Sequence, residues 1–414
     1  MALSRTTLVR TLIAGGVSVG AMTLAHAADE DPIEIEISGE ASTVVGIADG
    51  DEAGDLDALI EIKGSKVLDN GIELGAVFEG RVDGQQPDKL FAGGRYSGFL
   101  IGGPRGVAPF GSDAYLQGAY AYARGGFGQV ILGRDHGVGR TFAVKAPTIF
   151  RAINVNDWRT DLSGLNDVHT VNDFSGNATK ITYLPPANVF GGVVGGLQLG
   201  VSYSPTTGEC DEDLCEPNDG FVITPEALLL NEASEWNDVV EAGLYYQKGI
   251  SVGDSRADRL LLGVGASYVT ADENARVLSD IFGDYEAYSL GINLGFRGLT
   301  IGGSVKSTNA GLDELEEDGY LAFDAGIAFK TGEEKGDWGV SLGYGQSEAN
   351  IIGPNPLDPI IFRDTQTAQA GVTYFLGRGI SVGAAAQFVE SRKPDEVGGP
   401  EEAATVVIES SIRF

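Results

Sequence analysis

Residues 403–414 read Ala-Ala-Thr-Val-Val-Ile-Glu-Ser-Ser-Ile-Arg-Phe (AATVVIESSIRF). With the two-residue period of a strand, Ala404, Val406, Ile408, Ser410, Ile412 and Phe414 share one face, and Thr405, Val407, Glu409, Ser411 and Arg413 share the other. One face is mostly apolar and ends on an aromatic, while the other carries charge. A strand of roughly ten residues with this alternation is the unit of a transmembrane β-barrel, whose membrane interfaces are ringed by aromatics. The same pattern also suits a half-buried strand of a soluble sandwich, so the rest of the chain has to decide.

The N-terminal segment gives an address. Arg5 and Arg10 precede an apolar stretch, Leu12 to Leu24, that ends in Ala25-His26-Ala27 before Ala28 and the acidic Asp29, Glu30 and Asp31. This is the layout of a secretory signal peptide over residues 1–27, leaving 28–414 as one mature domain. No later segment has the ~20 consecutive apolar residues of a helical span, so a membrane could be crossed only by strands. Cleavage removes Arg5 and Arg10 and no acid, which takes the net charge from −31 to −33. Glycine is abundant, 61 of 414 residues, and mean hydropathy is near zero. A barrel whose lipid-facing and lumen-facing residues alternate hides its membrane character from a hydropathy average in this way.

Period-two segments recur at 33–47, 56–66, 70–83, 113–124, 127–134, 178–184, 195–204, 238–248, 259–270, 285–296, 299–308, 319–330, 337–347, 365–376, 379–390 and 403–414. The connections alternate in length. A longer loop after the first strand is followed by a tight turn at 67–69, then a long loop at 84–112, then Gly125-Gly126. The pattern continues with short turns at Arg297-Gly298 and Arg378-Gly379 and long loops at 135–177, 205–237, 348–364 and 391–402. This asymmetry predicts an all-β, antiparallel transmembrane barrel of about sixteen strands, with short periplasmic turns and long external loops.

Taking each apolar face as outward places Glu36, Glu40, Glu61, Lys63, Glu73, Glu79, Arg81, Glu241, Lys306, Asp324, Glu409 and Arg413 on the lumen wall. Charge on the lipid face near the midplane costs about 2–4 kcal/mol for Lys or Arg, so these side chains belong in water. Arg134, where a strand becomes a loop, is a further wall candidate. Acids outnumber bases, which predicts a weak cation preference; the alternative is charge that only solvates the lumen.

The mature length resembles the general Gram-negative porins. The local matches are Phe127-Gly-Gln-Val-Ile-Leu-Gly-Arg134, similar to the strand before that family's third loop, Asn177 to Pro186 (NATKITYLPP), similar to the strand after it, and the terminal Phe414, which resembles the family's assembly signal. The resemblance implies a homotrimer of sixteen-stranded barrels, assembled by the barrel-assembly machinery through the C-terminal strand and seated among outer-membrane lipid and lipopolysaccharide. It also implies that the third loop, 135–176, folds inward as a constriction. In that position Asp157, Asp161, Asp167 and Asp173 would narrow the pore and set its field, alongside Lys145, Arg151 and Arg159. The loop at 84–112, with Arg95, Tyr96 and Phe110, would reach a neighbouring subunit.

Cys210 and Cys215, close together in an exported loop, favour a local disulfide. The acids between them lack an ordered ligand spacing, so no metal site is assigned, and no cofactor is implied. Gly-x-Ser-x-Gly occurs three times, once in the signal segment and twice as Gly-Ile-Ser-Val-Gly at turn-to-strand transitions, and none fits the strand–turn–helix context of a hydrolase nucleophile. Nor does a basic patch suggest nucleic acid. The sequence therefore points to a non-enzymatic outer-membrane porin passing small hydrophilic solutes and ions. A substrate-specific porin for sugars or organic acids, or a non-conducting structural barrel, stands as the alternative.

Overall fold

The computed structural model describes residues 33–48, 50–83, 113–156, 161–187, 196–206, 236–253, 258–273, 283–309, 319–352, 360–395 and 399–414. Its strands are β1 (Glu34–Ala48), β2 (Asp51–Val67), β3 (Glu73–Asp83), β4 (Asp113–Gly125), β5 (Gly128–Arg134), β6 (Thr179–Leu184), β7 (Leu197–Thr206), β8 (Trp236–Ser251), β9 (Arg259–Glu273), β10 (Tyr285–Phe296), β11 (Leu299–Thr308), β12 (Tyr320–Lys330), β13 (Trp338–Ile352), β14 (Ile360–Gly377), β15 (Ile380–Arg392) and β16 (Glu401–Arg413). Each pairs antiparallel with its sequence neighbours, and β1 pairs with β16 to close the barrel. Closure leaves no sheet edge exposed, the condition for strands to cross a bilayer. The seam runs from Ala48 opposite Thr405 to Glu40 opposite Arg413, and Gly39 and Phe414 exchange two further backbone hydrogen bonds of 3.1 and 3.0 Å.

All sixteen strands expected from the sequence are present, with shifted ends. The longer loop expected after the first strand is instead a tight turn: Ala48 pairs with Asp51, and Gly50 takes the positive φ that the turn requires. Asp51, Glu52, Gly54 and Asp55 break the apolar alternation, but their backbone groups are satisfied by the β1 ladder, which does not depend on side-chain polarity. Strands β13 and β14 likewise run beyond the expected 347 and 365, pairing out to Ile352 and Ile360.

Alternation sorts the side chains as their polarity demands. Ile35, Ile60, Phe78, Leu132, Ile181, Val201, Leu290, Ile301, Leu342, Val372, Val406 and Ile408 are all exposed on the outer face, which only a lipid covering makes favourable. Two aromatic groups on this face mark the interfaces. Tyr268 and Tyr288 (ring centroids 4.9 Å apart) and Phe323 and Tyr344 (6.0 Å) lie toward the long-connection end, while Phe329 and Trp338 (5.7 Å) lie toward the short turns.

Candidate functional site

The chain leaving β5 turns into the barrel and runs around its inner wall. It forms one helical turn, α1 (Val138–Thr141), and then an extended outgoing limb to Asn156. Inward-facing glycines make room for this limb. A Cβ on Gly265 or Gly291 would collide with the carbonyl oxygens of Phe142 and Val144, and one on Gly371 or Gly383 with the Phe150 ring. Gly200 and Gly243 face Val138 and Phe142, and Gly343 faces Val155. The limb thus passes close against strands β7 to β15, with its own backbone nearest at β9 and β10, and the bare wall there is part of how the loop is shaped.

Three wall carboxylates hold the limb from behind. Glu241 on β8 accepts a hydrogen bond from the Gly139 N–H (2.9 Å) and another from the Ser175 hydroxyl. Asp324 on β12 accepts from the Ala146 N–H (3.1 Å) and from the N–H and hydroxyl of Ser304 (2.6 and 2.8 Å). Glu409 on β16 accepts from three successive N–H groups, Arg151 (3.0 Å), Ala152 (2.9 Å) and Ile153 (2.9 Å). All three residues are buried. A charged acceptor on an N–H contributes about 1.5–3 kcal/mol, more than a neutral one, and a coil this deep in the lumen needs its N–H groups satisfied. Around Glu409 a small apolar cluster forms, with Phe150, Ile153 and Leu162 of the loop packed on Val44, Ala53, Ala385 and Val407 of the wall.

The return limb, from 161 to 178, lies nearer the long-connection end and is held mainly by cations and aromatics. Arg363 places Nε 3.3 Å from Asp167 and donates to the Leu165 carbonyl (2.8 Å), and Lys306 donates to the Val171 carbonyl (3.0 Å). Lys180 donates to the Gly176 carbonyl (2.8 Å). The Tyr320 hydroxyl donates to the Asp167 carbonyl and accepts from the His169 N–H. Phe174 stacks on Tyr285 (3.7 Å between centroids) and meets Trp236 edge-on (5.7 Å). Burial alone would raise the Asp173 carboxyl, but His169 (2.8 Å away), Lys306 and Arg140 outweigh it and hold that group well below the usual carboxylate range. At the entrance to the loop, burial pushes the Asp135 carboxyl up despite the His136 N–H that it accepts.

The candidate residues therefore divide. Asp161, Asp167 and Asp173 do lie inside the barrel, but they are only 1, 2 and 6% exposed and are engaged within the loop and wall rather than presented to open water. Asp161 caps its own turn through the N–H groups of Ser163 and Asn166. Lys306 and Asp324 point inward and end beneath the loop. Arg134 ends β5 opposite Ala119 and Thr179, just after Gly133 with its positive φ, and its Nε and one Nη are buried. Glu61, Lys63, Glu73, Glu79 and Arg81 keep the inward parity of the buried Val77 and lie on the part of the wall that the loop leaves uncovered. The Phe414 ring sits over Gly39 at the seam. Asp157 and Arg159, the cysteines Cys210 and Cys215, and the 84–112 loop lie outside the described residues.

Between β1–β4 and the outgoing limb remains a cavity of about 370 Å³. Its wall side carries Glu40, Asp55, Asp57, Glu79 and Arg81, and its loop side carries Arg140, Lys145 and Arg151. Arg81 is bidentate on Asp57, with Nε and an Nη at 2.9 and 3.0 Å. A bulge adds to the wall: Glu79 lies opposite Gly118 and Gly80 opposite Leu116, so Gln117 is an extra residue, buried against the cavity. Toward the short turns the same strands line a second hollow of about 410 Å³, where Lys63 lies 3.5 Å from Glu36 and Tyr122 donates to Glu73 at 2.7 Å. Asp55, Asp57 and Arg140 escape a reading of the sequence alone. Asp55 falls where polar residues interrupt the apolar pattern, and extending the strand back to Asp51 would have placed it inward; Asp57 lies within 56–66 and shares the parity of Glu61.

The architecture is that of known outer-membrane channels. Solved structures similar to this chain include Salmonella typhi OmpF in complex with daunomycin (13% identity, covering 92% of this chain and 97% of that one, TM-score 0.56), an anion-selective porin from Comamonas acidovorans (15%, 92% and 100%, 0.53) and the outer-membrane channel DcaP of Acinetobacter baumannii (12%, 92% and 97%, 0.53). At such identities the likeness establishes the fold. A comparison with curated proteins finds no significant sequence match. The sequence profile of the Gram-negative porins, however, matches residues 14–394, and with a closed sixteen-strand barrel behind it this chain belongs to the Gram-negative porin family, as a multi-pass β-barrel of the outer membrane.

Proposed function

We propose that this outer-membrane channel passes small hydrophilic solutes and ions by passive diffusion, along an off-centre route between β1–β4 and the loop, with a weak cation preference. The observation that carries the reading is the water-sized space left on one side of an otherwise loop-filled lumen, lined largely by charged residues. On the inner face of β1–β4 the carboxylates Glu34, Glu36, Glu40, Asp55, Asp57, Glu61, Glu73 and Glu79 face the cations Lys63, Arg81 and Arg124. The loop adds Arg140, Lys145 and Arg151, leaving acids ahead by two. A residual excess this small favours cations only modestly.

Planar-bilayer recording under a salt gradient tests this. Stepwise conductance with a modest cation-side reversal potential supports the proposal; an anion-side potential overturns the preference, and a folded barrel without conductance overturns diffusion. We also infer a homotrimer, assembled through the Phe414 strand and bedded in lipopolysaccharide. The outer surface of β1–β3 supports it, being dominated by Ile35, Ile37, Val45, Ile47, Ile60 and Ile62, in contrast to the aromatic-rich surface of β9–β14. Native mass measurement in detergent decides the oligomer.

A further inference from the structure

The loop is closed at its neck by two buried side chains of opposite charge. Lys180, the second residue of β6, donates to the Asp135 carbonyl, where the outgoing limb begins, and to the Gly176 carbonyl (2.8 Å), where the return limb nears its end. Glu241 on β8 does the same with the other sign, accepting from the Gly139 N–H (2.9 Å) of α1 and from the Ser175 hydroxyl of the return limb. The two are 2 and 1% exposed and lie two strands apart, with Glu241 opposite Ser202 of the intervening β7. Each ties one limb to the other as well as to the wall, and their mutual attraction offsets the cost of burying either charge alone. A third link crosses the neck where Arg140 lies 3.9 Å from Asp173.

The neck carries one side of the passage, because His136 and Arg140 line the 370 Å³ cavity. On its other side α1 cannot retreat. Val138 and Phe142 already fill the space over Gly200 and Gly243, and Gly139 is packed on the Asn172 carbonyl. The open volume lies only in front, so a displaced α1 narrows the passage. Lysine suits the clasp: its ammonium has three donors and no acceptor, on a stem long enough to reach carbonyls of both limbs.

Building on the channel reading above, we propose that Lys180 and Glu241 are positioning residues of the passage. Acting as one clasp across the neck of the loop, they hold α1, with His136 and Arg140, back from the open side and so keep the channel from closing.

The test is single-channel recording of the purified protein, paired with thermal melts of the folded barrel. Lys180→Met should raise the frequency of brief closures roughly ten- to hundredfold over the parent, the bias that a hydrogen bond from a charged donor supplies. Ser175→Ala removes one link and no charge, and should raise it about threefold to tenfold. Lys180→Arg keeps a charged donor with reach to both carbonyls and should bring the frequency back to within about threefold of the parent. Parent-like closing in Lys180→Met or in Ser175→Ala overturns the proposal. So does a Lys180→Met barrel that melts earlier while its open current stays steady, which is all that a merely structural residue would cause. If Lys180→Met does not fold, Ser175→Ala still decides. A folded parent barrel without conductance would instead defeat the channel reading on which the proposal rests.

Discussion

The two halves of the lumen use the same side chains for opposite ends. From β7 to β16 the inner wall is covered by the loop, and its charged residues are buried: Glu241, Asp324 and Glu409 accept backbone N–H groups, and Lys306 and Arg363 donate to carbonyl oxygens or carboxylates. From β1 to β4 the wall is bare, and Glu36, Glu40 and Lys63 remain in contact with water. A carboxylate in the first half is a mechanical fixing whose charge is spent on the loop, and one in the second half is part of the field that a solute meets. Counting inward acids and bases around the whole barrel therefore misstates the charge of the passage.

The contrast can be broken most severely at Glu409. Glu409→Ala strands the N–H groups of residues 151–153, and the loss should be about 3–6 kcal/mol of loop anchoring. It should appear as noisy, enlarged single-channel conductance and a lower melting temperature of the folded barrel. Quiet parent-like channels would show that the loop holds without its carboxylate pin.

Next in size is Asp173→Asn, which removes one partner of a buried charge pair and should cost about 3 kcal/mol at neutral pH. The folded-state carboxyl is depressed, so the stability it contributes is present above the unfolded value of about 4 and is lost as pH falls through the still lower folded value. Thermal melts of parent and variant should thus differ at pH 5 and converge only in strong acid. Convergence already at pH 5 would contradict the pairing.

Gly291→Ala drives a methyl group into the Val144 carbonyl and should cost about 1–3 kcal/mol by overpacking. The same change at Gly80, on the uncovered half, meets nothing within 4 Å and should be close to neutral. Equal melting shifts for the two would show that the glycine-lined track does not matter. The smallest stability effect, within about 0.5 kcal/mol, belongs to Lys145→Gln, whose side chain faces the cavity. Its consequence should instead be a reversal potential moved further to the cation side, read in bilayers under a salt gradient.

Much of the barrel was legible beforehand because strand alternation is local. The inward parity of Glu61, Glu79, Arg81, Lys306 and Asp324 follows from their neighbours two residues away, and every strand was found by the same means. The first turn was misread because Asp51 to Asp55 carry no apolar signal, although the ladder needs none. The loop was harder. Asp161, Asp167 and Asp173 stood out as acids in a long connection, and nothing within 135–176 tells which of its charges turn to the wall. That answer depends on Arg363, Ser347 and Tyr320, which lie more than 140 residues away.

The sequence by itself determined the closed barrel, its strand order and the side to which most wall residues point, since a two-residue period and a hydrocarbon solvent leave one arrangement that satisfies both backbone and side chains. Only the tertiary structure decided which half of the lumen stays open and which of its charges are spent on holding the loop. Those depend on the path of one loop, set by bare glycines and carboxylates on nine distant strands, and contacts between residues so far apart in the chain leave no periodic trace in it.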